Sequence, residues 1–456
     1  MNKKNGSGRI FCDGCINDAP LYKAVSEYSE KTKARFHTPG HFGHGLFDLS
    51  YEFDVTEAKG LDALYEASGI IAEAEKRASA FFGSRATLFS AGGCTLCIQA
   101  MLSLAAERAL KTKGIACGIF GRNCHRSAVF ASALIGIDMV FANTLFGRIT
   151  PDELEKDIRE HPDCGFVYIT SPDYFGRMSD IEGISAVCKK YGLPLLVDNA
   201  HGTHLILSEE KLHPLLLGAD MTACSAHKTL PVLTSGAFLN IADEKFAENA
   251  KEKMAVFGSS SPSYPVMISL DTARLWCEKN GKAAFLRGKQ ATKRLKNTAK
   301  SRGFVFEDGP CDPLRLTLDA YSVGCSGEAL GEYIRSFGIE PEYVSDRSAV
   351  FIIGLMHGDD EIELLNDAIK SFAAKKPIKK QPEDFVKGEK VMSVREALIL
   401  SPSENVPAEE SAGRVCAQIV CPCPPGIPVC IPGEVITDAA VSFMKNSGMY
   451  NVRVVV

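Results

Sequence analysis

Nowhere does the chain hold an apolar run of the roughly 18–20 residues that a membrane-spanning helix requires. The N-terminus, Met1-Asn2-Lys3-Lys4-Asn5-Gly6-Ser7-Gly8, leads into no hydrophobic stretch of a secretory signal. Neither sign of charge dominates, since 51 Lys+Arg stand against 56 Asp+Glu, a net charge of −5. Holding nucleic acid or an anionic membrane by bulk charge needs the opposite balance, so neither partner is expected. Internal repeats are absent as well. Cysteine is plentiful, with 16 residues scattered from Cys12 to Cys430. With no export signal and enough chain to build a core, they read as reduced thiols of a cytoplasmic protein. Cys12–Cys15 and Cys94–Cys97 are C-x-x-C pairs, yet neither has a second pair or a histidine at zinc-finger spacing. No metal site is expected.

The 456 residues suggest two or three domains, at about 150 residues per domain. A hydrophobic share of 45% against 23% charged places the chain among globular proteins. An amphipathic stretch at Leu21–Tyr28 marks a helical N-terminal segment, residues 1–35. From 60 to 245, helical periods such as Ile71–Phe82 and Ile98–Ala109 alternate with short apolar runs. These runs are Ala86–Phe89, Ile115–Phe120, Gly165–Ile169, Leu193–Val197 and Met221–Cys224. That alternation predicts βαβ units and a mostly parallel sheet with helices on both faces, a large α/β domain over 36–275. A small α+β domain is expected over 276–375. It holds a charged helix at Lys282–Lys300, strands at Leu314–Leu318 and Ala349–Leu355, and a helix at Gly327–Phe337 between them. A basic, Pro-punctuated linker over 376–384 leads to a C-terminal domain, 385–456, with a helix at Val394–Leu400 and a Pro-rich loop at Cys421–Pro428.

The strand Met221–Cys224 ends in Ser225-Ala226-His227-Lys228, placing a lysine beyond the carboxyl end of a strand, where open α/β sheets bind ligands. Such an amine can form a Schiff base with an aldehyde cofactor such as pyridoxal phosphate (PLP), or it can simply be a solvated surface lysine. Thirty residues upstream, Leu193–Val197 ends in Asp198. PLP needs a carboxylate against its pyridine nitrogen; a helix N-cap is the alternative role. In Ser90-Ala91-Gly92-Gly93-Cys94-Thr95-Leu96, paired glycines precede a helix expected to begin near Cys97. Its backbone N–H groups and the Thr95 hydroxyl suit a phosphate, though an ordinary turn looks the same. It is neither a Walker loop nor a G-x-G-x-x-G loop. Finally, Gly121-Arg122-Asn123-Cys124-His125 sets a histidine at the end of a strand, either on the face of an aromatic cofactor or as a hydrogen-bonded loop residue. All four elements share one sheet edge.

Together with Phe36-His37-Thr38-Pro39-Gly40-His41, Thr56-Glu57-Ala58-Lys59-Gly60-Leu61-Asp62, Thr170-Ser171-Pro172-Asp173-Tyr174-Phe175-Gly176, Asp198-Asn199-Ala200-His201-Gly202, Pro424-Pro425-Gly426-Ile427-Pro428 and Pro432-Gly433-Glu434, these motifs resemble the Orn/Lys/Arg decarboxylases. These are fold-type I, PLP-dependent decarboxylases of basic amino acids, and the resemblance runs nearly end to end. It implies a seven-stranded, mostly parallel PLP domain, a small α+β domain and a C-terminal domain. It implies decarboxylation of arginine, lysine or ornithine to a polyamine precursor. Lys228 would carry pyridoxal 5′-phosphate, Asp198 would pair with the pyridinium and His125 would stack on the ring. Gly93, Cys94, Thr95, Ser225 and His227 would surround the phosphate, with His201 beside the cofactor near Asp198. Ser260, in Ser259–Ser263, would reach the phosphate of a neighbouring subunit, making a homodimer with shared sites.

His227 is one candidate for the acid that returns a proton to the α-carbon. Glu434 is the first candidate for the acid facing the substrate's distal amine or guanidinium, with capping of a helix at Val435–Met444 as the alternative. The cup here has Gly92-Gly93-Cys94-Thr95-Leu96 where the family has Asn-Gly followed by hydroxyl residues. Cys423 replaces a Tyr and Asn199 a common Glu, departures that bear on substrate identity. The large members' receiver-like N-terminal domain is not expected. Two rivals stay open: an aminotransferase or β-eliminating lyase with Arg315 as carboxylate clamp, and a non-catalytic regulatory relative. The intact Lys228–Asp198–His125 set argues against the latter.

Overall fold

The apolar runs assemble into one sheet. In the computed structural model, its strands are β1 (Ala86–Ser90), β2 (Cys117–Phe120), β3 (Asp138–Phe141), β4 (Val167–Thr170), β5 (Leu195–Asp198), β6 (Met221–Cys224) and β7 (Ala237–Ile241), in the order β1-β7-β6-β5-β4-β2-β3. The residues described are 18–32, 35, 38–39, 44, 50–142, 148–379, 387–421 and 428–456. β7 runs antiparallel to both its neighbours and every other pairing is parallel. Six strands therefore deliver their carboxyl ends to one edge. β2, β5, β6 and β7 are buried at every residue, which is why the first three stand out in the sequence as apolar runs.

Alternate side chains go to opposite faces. One face sends Phe120, Tyr168, Leu196 and Leu239 against helices α3 (Gly93–Lys113) and α4 (Arg126–Ile135). On the other, Phe89 and Phe238 pack under α1 (Pro20–Lys31) and α2 (Ile70–Phe82). Ile119, Val167 and Val197 on that face meet α5 (Pro151–Glu160) and α6 (Ile181–Lys190).

α3 starts at Gly93, four residues before the expected Cys97, with Cys94 and Leu96 of its first turn already buried in the core. No loop divides the chain at 275/276. The helix Tyr264–Trp276 passes through a wide turn at Cys277–Gly281 straight into the helix Lys282–Ser301. That run leads to an antiparallel sheet of β8 (Arg315–Asp319), β9 (Tyr343–Val344) and β10 (Ser348–Ile352), ordered β8-β10-β9. At the C-terminal end, β11 (Ser403–Pro407) pairs antiparallel with β12 (Asn451–Val455) beside a helix at Asp438–Asn446. The cap of that helix is Thr437, so the capping alternative for Glu434 is set aside. Phe36-His37, Gly40-His41, Cys12–Cys15, residues 380–384 of the linker and residues 422–427 with Cys423 lie outside the described residues. Among the described residues, no helix is long and apolar enough to cross a membrane.

Candidate active site

At the carboxyl edge of the sheet, β6 ends at Cys224 and a single helical turn, α7 (Ala226–Thr229), follows. That turn brings Lys228 back over the sheet end, with its Nζ 3.1 Å from Nε2 of His201. β5 ends in Asp198, whose carboxylate is 2% exposed. Its Oδ2 accepts the Tyr168 hydroxyl at 3.2 Å and its Oδ1 the Ala200 N–H at 3.1 Å. No α-helix starts there, so Asp198 is not a helix cap. His125 does cap one: its Nδ1 accepts the Ser127 N–H of α4 at 3.2 Å. The same ring also lies on the wall of a cavity of about 700 Å³. Both roles considered for it are compatible, because capping uses only Nδ1.

That cavity is lined by Gly93, Cys94, Thr95, His125, Asp198, His201, Ser225, His227 and Lys228 together. Gly93 has φ +73°, a conformation only glycine adopts without strain, and it lets the N-terminal N–H groups of α3 face an anion. The loop is braced by Ser235 Oγ donating to Ala91 O at 2.8 Å and Ser90 Oγ donating to Gly93 O at 2.9 Å.

Burial sets the charge states. It lowers the pKa of His125 and His227, and drives His201 well below its ordinary value with the Lys228 charge adding to it. The three rings are neutral at neutral pH. His227 Nδ1 lies 3.1 Å from the Gly236 carbonyl and so carries the proton it donates. Its Nε2 then has only a lone pair, so delivering a proton to substrate requires a charged form that burial opposes. The Cys94 thiol is pushed well up by burial and by Asp198, so it is not an anion competing for the phosphate position.

These residues fit PLP on structural grounds. Asp198 is a buried carboxylate at a cavity wall whose hydrogen-bond donors are both neutral, an arrangement that favours a cationic N–H in the cavity. His201 Nδ1 and Thr170 Oγ1 are buried there without a hydrogen-bond partner. Among the described residues, no group of three metal-ligating side chains is present.

Two expected site residues lie off the cavity wall. Ser260 is exposed in the loop between the helices Ala250–Phe257 and Tyr264–Trp276. Glu434 is 2% exposed and forms a bidentate pair with Arg122, with Arg122 NH2–Oε2 at 2.8 Å, and its Oε2 also accepts the Ile431 N–H at 3.1 Å. The distal-acid reading of Glu434 is corrected accordingly: a buried guanidinium at the end of β2 already takes that carboxylate. Asn199 is turned behind the sheet, with Nδ2 2.9 Å from His213 Nε2, so its departure from the family leaves the cavity untouched. Arg315 is buried 3.8 Å from Asp312 and is not on the wall.

Sequence reasoning missed Tyr168, which braces Asp198 from the adjacent strand, and Tyr174, whose ring centre is 4.9 Å from that of His201. It also missed Gln418 and Arg453, which bring the C-terminal domain to the cavity wall. Tyr174 stood inside a quoted motif, and Tyr168, two residues before Thr170, shares its pleat. Nothing local marks Gln418 or Arg453.

A family model described as Orn/Lys/Arg decarboxylase, major domain, matches residues 19–309, and one described as Orn/Lys/Arg decarboxylase, C-terminal domain, matches 378–452. "Uncharacterized protein YaaO" of Bacillus subtilis (strain 168) is 32% identical over 458 residues, covering 93% of each chain. An arginine decarboxylase of the same strain is 27% identical over 469 residues, covering 94% of this chain and 93% of that protein. The solved structure of the Escherichia coli constitutive lysine decarboxylase superposes with a TM-score of 0.79 at 18% identity, over 96% of this chain and 82% of that one. The fold is therefore that of the fold-type I PLP enzymes, as expected. Since the major-domain model spans every strand that contributes to the cavity edge, the chain belongs to the Orn/Lys/Arg decarboxylase family and is an amino acid decarboxylase.

Proposed function

We propose that this protein decarboxylates a basic L-amino acid, arginine, lysine or ornithine, to the corresponding amine and CO₂, with PLP held at Lys228. The observation that carries this is the buried Asp198, with neutral donors only, in the same cavity as the Lys228–His201 pair. When bound there, PLP supplies an electron sink for the pair released at the substrate's α-carbon. Asp198 would hold a proton on the ring nitrogen, and the N–H groups at the start of α3 would hold the phosphate. His125, on the same cavity wall, would cover the ring. Neutral His201 accepts a hydrogen bond from the Lys228 amine, which keeps that amine aimed into the cavity. Ile419, Leu398 and Pro428 close the wall with apolar surface that excludes water.

Relatives named arginine decarboxylase at 27–28% identity make arginine the first substrate to test. A homodimer with shared sites is supported by the exposed Ser259–Ser261 turn, whose hydroxyls do not serve this chain's own cavity. The aminotransferase alternative is weakened by the position of Arg315 off the wall. The test incubates PLP-loaded protein with arginine, lysine and ornithine and measures CO₂, amine and keto acid. Amine with stoichiometric CO₂ is expected. Keto acid without CO₂ would replace this reading, and a protein that never acquires the visible cofactor band would revive the regulatory one.

A further inference from the structure

A basic side chain enters a low-dielectric pocket only against an opposite charge, because an isolated one is costly to desolvate. Among the described residues on the cavity wall, Asp173 and Asp198 are the only carboxylates. Asp198 is committed at the sheet edge and Glu434 is paired with Arg122. We propose that Asp173 receives the distal cation of the substrate and so sets the selectivity for basic amino acids, an inference that rests on the decarboxylase reading above.

The local geometry supports this. Asp173 lies three residues past the end of β4, and its Oδ1 accepts the N–H of Phe175 at 2.9 Å and of Arg177 at 2.8 Å. That turn fixes the side chain and leaves Oδ2. The nearest cation to Oδ2 is Arg177 NH1 at 3.6 Å, beyond hydrogen-bond length. The Arg177 guanidinium is drawn instead to Glu307, with Nε–Oε2 at 2.6 Å and NH2–Oε1 at 2.5 Å. Burial raises the Asp173 pKa and outweighs the attraction of Arg177, its ion-pair partner, which it shares with Glu307. The loop also stands beside the reaction centre, because Tyr174 packs edge-on to His201, and His201 contacts Lys228. Tyr174 and Phe175, both on the wall, offer ring surface to an alkyl stem or a guanidinium.

The experiment compares kcat/KM of PLP-loaded wild type and Asp173→Asn on arginine, lysine and ornithine and on their uncharged counterparts citrulline, norleucine and norvaline. Asn keeps an Oδ1 for the Phe175 and Arg177 N–H groups, so the turn survives. For the preferred basic substrate, KM should rise and selectivity over its counterpart should fall about 100-fold, as when one partner of a buried charge pair is removed. Turnover of the uncharged counterpart should change little. Asp173→Glu should retain selectivity for a cation, which a merely structural role does not predict. Asp173→Ser, whose hydroxyl also closes such a turn, gives the same comparison if the amide disturbs folding, as judged by circular dichroism. Selectivity intact in the Asn or Ser variant refutes Asp173 and leaves the decarboxylase reading standing. A wild type with no preference for any basic substrate overturns that reading itself.

Discussion

Lys228 is the amine at the sheet edge, 3.1 Å from a neutral imidazole. Lys228→Ala should therefore abolish turnover and borohydride-trappable cofactor, while PLP still binds noncovalently through its phosphate. Cofactor trapped on another lysine would refute this role. Asp198→Asn should fold, because the amide oxygen still accepts the Ala200 N–H. Its kcat should fall by about 10³-fold or more, since an amide cannot hold the ring proton. Near wild-type turnover would reduce Asp198 to a turn residue. Glu434 now carries a different expectation from the one its sequence suggests. Glu434→Gln should leave KM for basic substrates nearly unchanged and cost about 3 kcal/mol of stability, because Arg122 loses its buried counter-charge. Urea denaturation beside steady-state kinetics separates the two. Lys228, Asp198 and His125 were legible because each follows an apolar run that can only be a buried strand. Asp173 was visible as a motif letter, but its role needed the inventory of carboxylates around the cavity.

Among the elements, the junction of β1 and α3 is the most demanding, because the turn must present free N–H groups without a side chain in the way. At Gly93, with φ +73°, a Cβ has room, the nearest atom being Ser235 O at 3.9 Å. Backbone strain alone should therefore operate in Gly93→Ala, at about 1–2 kcal/mol. PLP affinity, measured by titration of the apoprotein, should weaken about tenfold, while a loose surface turn would show no change. β3 and β7 were not singled out in the sequence, for different reasons. β3 is four residues long and partly exposed at the sheet edge, so no apolar run stands out. β7 is fully buried, but Asn240 interrupts its apolar run and is accommodated by hydrogen bonds to Thr87 and Thr222 on flanking strands.

The whole molecule has a pH dependence of definite sign. His213 is buried behind β5, and burial followed by the charge of His204 pushes its pKa down to about 3. The unfolded chain binds that proton near the ordinary histidine value of about 6.5. Between those values the unfolded state holds a proton that the folded state refuses. The His213 contribution is thus complete above about pH 6.5 and declines toward pH 3, by up to about 1.4 kcal/mol per unit. His125, His201 and His227 shift in the same direction. The apoprotein should be measurably less stable to urea at pH 5 than at pH 7, and His213→Gln should flatten the slope; an unchanged slope would contradict it. Assembly is tested by mixing Lys228→Ala chains with Ser260→Ala chains, provided that the latter homodimer is itself impaired. Partial recovery of activity is expected of a C₂ dimer with shared sites. An active monomer, or no recovery despite exchange of chains, would refute it.

The sequence by itself determined the α/β class, the parallel sheet and the placement of Lys228, Asp198, His125 and the Gly92-Gly93 turn on one edge. Period and burial fix strands locally, and parallel connection then forces their ends together. Only the tertiary structure decided what each polar group is paired with. Arg122 and Glu434 are 312 residues apart in the chain and meet as a buried ion pair. Arg453 reaches the cavity from the last strand, and Asp173 stays on its wall with one oxygen unengaged by hydrogen bonds. Charges settle by distance in space, which no local pattern encodes, so the chemistry of the ends of the strands was readable and its partners were not.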